Sequence, residues 1–262
     1  MIPKVIHYCW FGGKRKSKLI KDCILSWKHY LPDYEFIEWN EENCDLTIPF
    51  VRETYSLKKW AFVADYIRLK ILYENGGIYL DTDMMVLKSF DNLLKNRIFF
   101  GAEDNEYINC AIIGSIKNNE FIKECISRYD SININNGINF EEITIPRIIT
   151  DVYRKKYNYF LPFDKKIEKD KIVIYPFIFF YPLPYENKKD IKQYINYASE
   201  DTYTVHLWNE SWIKYNEFQY LTKRQYGLAL KLILKNIFIE GKIELTYFRK
   251  ILSCFKETFI NK

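Results

Sequence analysis

The chain opens on alternating apolar and polar positions, KVIHYCWF, which GGK breaks; KLIKDCILSWKHYL then brings apolar residues back every three to four positions. YEFIEW returns to a β-rich run. A period of two, then of 3.6, then of two predicts strand, helix and strand, the opening of a βαβ unit. Residues 56–77, SLKKWAFVADYIRLKILYENGG, carry apolar residues at helical spacing and end on Asn75-Gly76-Gly77. That ending stops a helix, because glycine accepts the left-handed conformation past the last turn. IYL follows as a buried strand and delivers Asp81 and Asp83 at its carboxyl end.

Further along, RIFFGAE and NCAIIGS read as strands, and NNEFIKECISRY and EEITIPRIITDVYRKKY as helices, the second interrupted by Pro146. VIYPFIFFYPLPYENKKD, with Pro176, Pro182 and Pro184, reads as a loop excursion, and TYTVHLW as a late strand. Strands alternating with helices predict an α/β sheet. There is no internal repeat and no low-complexity linker.

Composition narrows the class. At 262 residues and 48% hydrophobic content, the chain can bury one substantial core, at the upper end of what one domain holds. The six cysteines show no C-x-x-C pair and no zinc-like spacing, which fits reduced thiols and argues against a disulfide framework. The first residues, IPKVIHYCW, read as a strand with none of the features of a cleavable leader. A cytoplasmic chain, either free or in peripheral contact with the inner face of the cell membrane, is therefore the expectation. The net charge of +5 is unevenly placed: from Thr222 onward nine Lys and Arg face three Glu, so the preceding residues are near neutral. This predicts a body, 1–221, and a basic helical tail, 222–262. Within the tail, YGLALKLILKNIFI puts Lys231 and Lys235 on one face of an apolar helix too short and too charged to span a bilayer. Such a helix either packs on the body or lies on a membrane surface.

Asp81 and Asp83 carry the candidate chemistry. In open α/β sheets ligands bind beyond the carboxyl ends of strands, which is where these two stand. Neighbouring carboxylates repel unless a cation or strong donors neutralise them, and hard oxygen ligands suit Mg²⁺ or Mn²⁺ completed by substrate phosphates. The bland alternative is an acidic surface turn. One helix earlier, Asp65 and Arg68 share a face, as an ordinary intrahelical ion pair or as part of the same site. Trp10 and His206 each have a core reading beside a functional one, and His7 is expected to be core.

Taken together, IPKVIHYCWFGG, WAFVADYIRLKILYENGGIYLDTDMMVL and VHLWNESW resemble glycosyltransferase family 32, the DXD-containing group of capsular-polysaccharide and initiating mannosyl transferases, related to the glucosylating domain of large clostridial toxins. The resemblance is close to about residue 115, looser to 160, and returns at 203–212. It implies a single GT-A-like nucleotide-sugar-binding domain with a mixed, mostly parallel sheet flanked by helices. It implies that Trp10 stacks on the nucleotide base, and that Asp65 and Arg68 bind donor-sugar hydroxyls, with Arg68 also near the diphosphate. Asp81 then contacts ribose and sugar, and Asp83 ligates Mn²⁺. Ser211 and Trp212 match the segment that closes over the diphosphate, and His206 is similar in placement to a metal-binding His of the glycogenin-like relatives. At EITIPRII this chain has Ile145 before Pro146, where many relatives have Gly.

What the resemblance implies is a retaining hexosyltransferase, catalytic through Asp65, Arg68, Asp81 and Asp83, with the metal on Asp83, His206 and Asp81. Mn²⁺ is the expected cofactor and Mg²⁺ a weaker substitute; if imidazole did not reach the ion, Asn209 or Glu210 would be next in line. Expected partners are a nucleotide-sugar, UDP-hexose above GDP-hexose, and a glycan or lipid-linked oligosaccharide of capsule or lipopolysaccharide synthesis, with no nucleic acid. For a double displacement, Glu103 and Asp104 are the carboxylates at hand. Two rivals share parts of the pattern: a cation-dependent sugar-binding module without transfer activity, and a toxin-like transferase acting on protein.

Overall fold

The βαβ opening is present: β1 (Val5–Cys9) and β2 (Glu35–Trp39) pair in parallel and are joined by α1 (Lys18–Tyr30). The computed structural model describes residues 1–134, 138–209, 217–222, 224–241 and 243–260. α2 (Pro49–Ser56) comes next, then α3 (Trp60–Asn75), which starts later than the spacing predicts. Lys58 takes a left-handed backbone, φ 56°, and separates the two helices. α3 stops at Gly76, φ 69°, and Gly77, φ 107°, opens β3 (Gly77–Leu80). A Cβ at Gly77 would stand 2.8 Å from the His7 ring, so both its torsion and its bareness are required.

β3 leads through the two aspartates into β4 (Met84–Val86), β5 (Ile98–Ala102) and β6 (Ile108–Ser115), followed by α4 (Glu120–Asp130) and α5 (Ile145–Tyr157). Pro146 does not interrupt α5; it lies in the first turn, where its missing N–H leaves no intrahelical bond unmade. β7 (Ile167–Lys169) and β8 (Ile172–Tyr175) then return to the sheet. β8 is the main departure from the sequence expectation, which had placed it in a loop. Its four residues are all buried and pair in parallel with β5, and the prolines that suggested an excursion begin only after it. β9 (Thr204–His206) pairs with β4 in a separate two-stranded ribbon.

The main sheet runs β2-β1-β3-β6-β5-β8-β7, with β6 and β7 reversed against the other five, the mixed and mostly parallel arrangement of a GT-A-like fold. Strand alternation divides its side chains between two layers. Tyr79, Phe100, Cys110, Ile172 and Ile174 meet α2 to α5; Ile78, Leu80, Ile112 and Val173 meet α1 and β4.

The chain divides into two compact units, Met1–Asn209 and Glu210–Lys262. The second contains α6 (Glu217–Thr222), α7 (Tyr226–Phe238) and α8 (Leu245–Ile260). Its core joins Leu221 of α6 to Ala229 and Ile233 of α7 and Cys254 of α8, so α6 belongs with the helices after it, and a boundary at 221/222 would cut it from them.

Candidate active site

Alternation along β3 puts Tyr79 and Asp81 on the same side of the sheet, the side covered by α3. The Tyr79 hydroxyl donates to Asp81 Oδ1 at 2.9 Å, and Asp81 N donates to the Ala111 carbonyl of β6 at 2.7 Å. From α3, Arg68 reaches the same carboxylate, Nη2 at 3.2 Å from Oδ1 and Nη1 at 3.4 Å from Oδ2. Nη2 also pairs with Asp65 Oδ1 at 2.9 Å, Nη1 donates to the Cys110 carbonyl at 2.6 Å, and Nε to the Ala64 carbonyl at 3.2 Å. Nε and Nη1 thus donate to the protein, and Nη2 is ion-paired with both carboxylates. The guanidinium also lies 4.4 Å from the Tyr79 ring centre.

This is no surface ion pair. Asp65 and Arg68 are both buried, because α3 is enclosed on most of its circumference. Burial pushes the Asp65 carboxyl up to about 7 against the opposing pull of Arg68, with Asp81 adding to the rise. The backbone amide of Ile145 works the other way. The residue that departs from the family pattern therefore opens α5 with its backbone amide toward Asp65.

Asp83 sits just before β4, and register brings its neighbour Met84 opposite His206 on β9, more than a hundred residues later. Leu207 N donates to the Asp83 carbonyl at 3.0 Å, and His206 Nε2 lies 3.2 Å from Asp83 Oδ1. Trp208 then turns the chain through a left-handed backbone, φ 48°, so that Asn209 N donates to Asp83 Oδ2 at 2.8 Å. Burial works to raise Asp83, but His206 and the Asn209 amide outweigh it and hold the carboxyl below its ordinary range. Burial likewise works to lower His206, and Asp83 overrides it upward.

The fit to a divalent cation can be judged from these groups. Asp81, Asp83 and His206 each offer a ligand atom, and the three atoms lie within 4.8 Å of one another. His206 turns Nε2 toward Asp83, and its Nδ1 is buried with no hydrogen-bond partner among the described residues. Two oxygens and an imidazole make a donor set for a first-row ion such as Mn²⁺. The residues present fit such an ion.

The remaining candidates divide. Extending the β1–β3 register puts Trp10 level with Thr82, one strand away from the aspartates at the same sheet edge. Its indole is half-buried, donates to the Lys14 carbonyl at 2.7 Å and has the Lys16 ammonium 5.1 Å from its ring centre. Ser211, Trp212 and Glu210 lie outside the described residues. Glu103, after β5, accepts from Asn109 Nδ2 at 2.8 Å, and burial raises its carboxyl while that bond opposes the rise. Asp104 is exposed and accepts from the Glu106 and Tyr107 amides, which makes it a turn residue. His7 is core as expected: Trp39 Nε1 donates to its Nδ1 at 3.1 Å and its Nε2 faces the Gly76 carbonyl at 2.9 Å. Sequence reasoning missed Tyr79, Asn109 and the Cys110 carbonyl. Tyr79 could have been found from its place two before Asp81 on one strand face; a backbone carbonyl leaves no signal.

Comparison with known proteins bears on this geometry. Residues 17–100 match the family described as "Glycosyltransferase sugar-binding region containing DXD motif". Mouse lactosylceramide 4-alpha-galactosyltransferase is 30% identical over 155 residues, 56% of this chain and 41% of that protein. Inositol phosphoceramide mannosyltransferase 3 of Schizosaccharomyces pombe is 29% identical over 133 residues, 48% of this chain and 36% of that protein. The chain thus spans about two fifths of the length of the curated relatives it matches. Among solved structures, the PaToxG glycosyltransferase superposes with a TM-score of 0.50 at 20% identity, over 60% of this chain and 70% of that one, a likeness of fold. The matched residues 17–100 contain Asp65, Arg68, Asp81 and Asp83, so the similarity to that sugar-binding region falls on the residues that the fold gathers here.

Proposed function

We propose that this chain is a retaining, metal-dependent hexosyltransferase that moves a sugar from a nucleotide-sugar, UDP-hexose in the first instance, to a hydroxyl of a lipid-borne glycan. The observation that carries the reading is the convergence of Asp81, Asp83 and His206 within 4.8 Å, from two segments far apart in sequence. Such a cluster beside a buried Asp65–Arg68 pair is more than an acidic turn requires. The lipid-borne acceptor is suggested by the relatives, whose names specify lactosylceramide and inositol phosphoceramide; a capsule or lipopolysaccharide intermediate is the corresponding acceptor on the resemblance.

Asp81, Asp83 and His206 would hold the ion, which when bound supplies Lewis-acid charge against a departing diphosphate. The other groups act through position. Arg68, buried and held by Ala64, Cys110, Asp65 and Asp81, orients Asp81 and balances Asp65. The Asn209 amide fixes one Asp83 oxygen, leaving the other beside His206. Trp10 offers an aromatic face at the sheet edge for the base, and Asp65 and Asp81 accept from sugar hydroxyls. Retention is what the resemblance implies, and Glu103, held by Asn109, is the carboxylate to test for a covalent route.

The experiment is hydrolysis of a panel of nucleotide-sugars with Mn²⁺ or Mg²⁺, alongside Mn²⁺ binding followed by electron paramagnetic resonance. One donor should be hydrolysed well above the others, faster with Mn²⁺ than with Mg²⁺, because imidazole suits the transition metal. His206→Ala should weaken Mn²⁺ binding and erase that preference. A protein that binds free UDP and Mn²⁺ but hydrolyses no donor and transfers to no acceptor would be a binding module instead.

A further inference from the structure

The helical unit Glu210–Lys262 presents an outer surface at odds with an ordinary soluble face. α7 turns Ala229, Ile233 and Asn236 inward, and α8 turns in Cys254. With those positions buried, the opposite side of α7 should be polar. Instead Leu230, Leu234 and Phe238 stand one above another at a spacing of four, 56%, 45% and 79% exposed. Ile239, Ile243 and Leu245 carry exposed apolar side chains through the connection, and Phe248 and Leu252 continue them on α8. Lys231 and Lys235 flank the first stripe, and Arg249 and Lys256, also exposed, flank the second. Scattered single apolar residues need no explanation, but eight exposed ones on two successive helices and their connection do.

We propose that this face docks on an anionic lipid bilayer, its apolar side chains entering the acyl boundary and its lysines and arginines meeting headgroup phosphates. The inference rests on the lipid-borne acceptor proposed above, since an enzyme serving such an acceptor gains by residing on the same surface. Charge selects the occupant: nine Lys and Arg against three Glu from Thr222 onward would repel a second copy and attract a negative surface. Among the described residues no helix is long and apolar enough to cross a membrane, and α7 is interrupted on its outer side by Lys231 and Lys235. A basic amphipathic pattern of this kind lies in the interface plane.

The test is co-sedimentation of the full chain with vesicles of phosphatidylcholine alone or mixed with phosphatidylglycerol, at low and at high salt. Binding should be at least about ten-fold stronger to the anionic vesicles and should weaken with salt. Leu230→Gln/Leu234→Gln/Phe238→Gln should lose about ten-fold or more in vesicle binding. Lys231→Glu/Arg249→Glu should lose the preference for anionic lipid. Equal binding to neutral and anionic vesicles, or a triple variant that binds as wild type does, overturns the proposal. So does sedimentation velocity showing a wild-type dimer that the triple variant converts to monomer with vesicle binding unchanged, which would make the face a self-association surface. Donor hydrolysis without vesicles is measured on the same samples. It should be equal in wild type and variants, so failure of docking and failure of the transferase reading give different results.

Discussion

Replacing Arg68 with Met removes the cation that pairs with both Asp65 and Asp81, and the structure says which of them dominates the cost. Asp81 has a side chain 29% exposed, so water screens much of its uncompensated charge. Asp65 is 6% exposed and loses its 2.9 Å partner with little solvent to replace it. Breaking a buried pair from one side costs about 3–5 kcal/mol. For a unit the size of Met1–Asn209, each kcal/mol shifts Tm by about 2–4 °C, so the expected loss is roughly 6–20 °C. The pH dependence identifies the cause. Because the folded-state value of Asp65, about 7, lies above its unfolded value, its contribution favours folding at low pH and is lost as pH rises through that value. Wild type should therefore level off above pH about 7, whereas Arg68→Met, with Asp65 raised further, should go on losing about 1.4 kcal/mol per pH unit. Asp65→Asn in the Arg68→Met background should restore part of the loss by removing the stranded charge. Thermal and urea unfolding followed by circular dichroism between pH 6 and 9 measures all three. Parallel pH dependences of wild type and Arg68→Met, with no recovery in the double variant, would refute the reasoning.

Asp83→Ala and Asp81→Ala should nearly abolish Mn²⁺-dependent donor hydrolysis while the circular dichroism spectrum is kept; wild-type turnover in Asp83→Ala would remove it from the site. Trp10→Ala should weaken UDP binding by about 1–3 kcal/mol, the usual scale of base–aromatic stacking. Unchanged affinity by titration calorimetry would leave Trp10 a packing residue. Glu103→Gln should reduce donor hydrolysis no more than several-fold if the acceptor attacks directly. Mass spectrometry of a slow glycosyl-acceptor variant showing a sugar adduct on Glu103 would instead establish a covalent route.

Much of the fold was legible because local periodicity reports local burial. β1, α1, β2, α4 and β6 stand where alternation and helical spacing put them, and Asn75-Gly76-Gly77 ends α3 as glycine chemistry requires. The misreadings have local causes too. Lys58 gives no sign of the left-handed backbone that separates α2 from α3, and Pro176 drew attention away from the strand that it ends.

The sequence by itself also determined which side chains could carry the chemistry, since Asp65 and Arg68 share a helix face and Asp81 and Asp83 follow a buried strand. What it could not determine was their state. Whether Asp65 and Arg68 form a screened surface pair or a buried one depends on how many elements enclose α3, and no property of the helix alone sets that. The family resemblance pointed to His206, but its place beside Asp83 comes from the β4–β9 ribbon, and pairing between strands so distant in sequence leaves no local periodicity to read. The Cys110 carbonyl that takes Arg68 Nη1, and the Asn209 amide that fixes Asp83, are backbone groups every residue possesses. Only tertiary structure gives them direction, because direction comes from the path of the chain and not from the identity of the side chain.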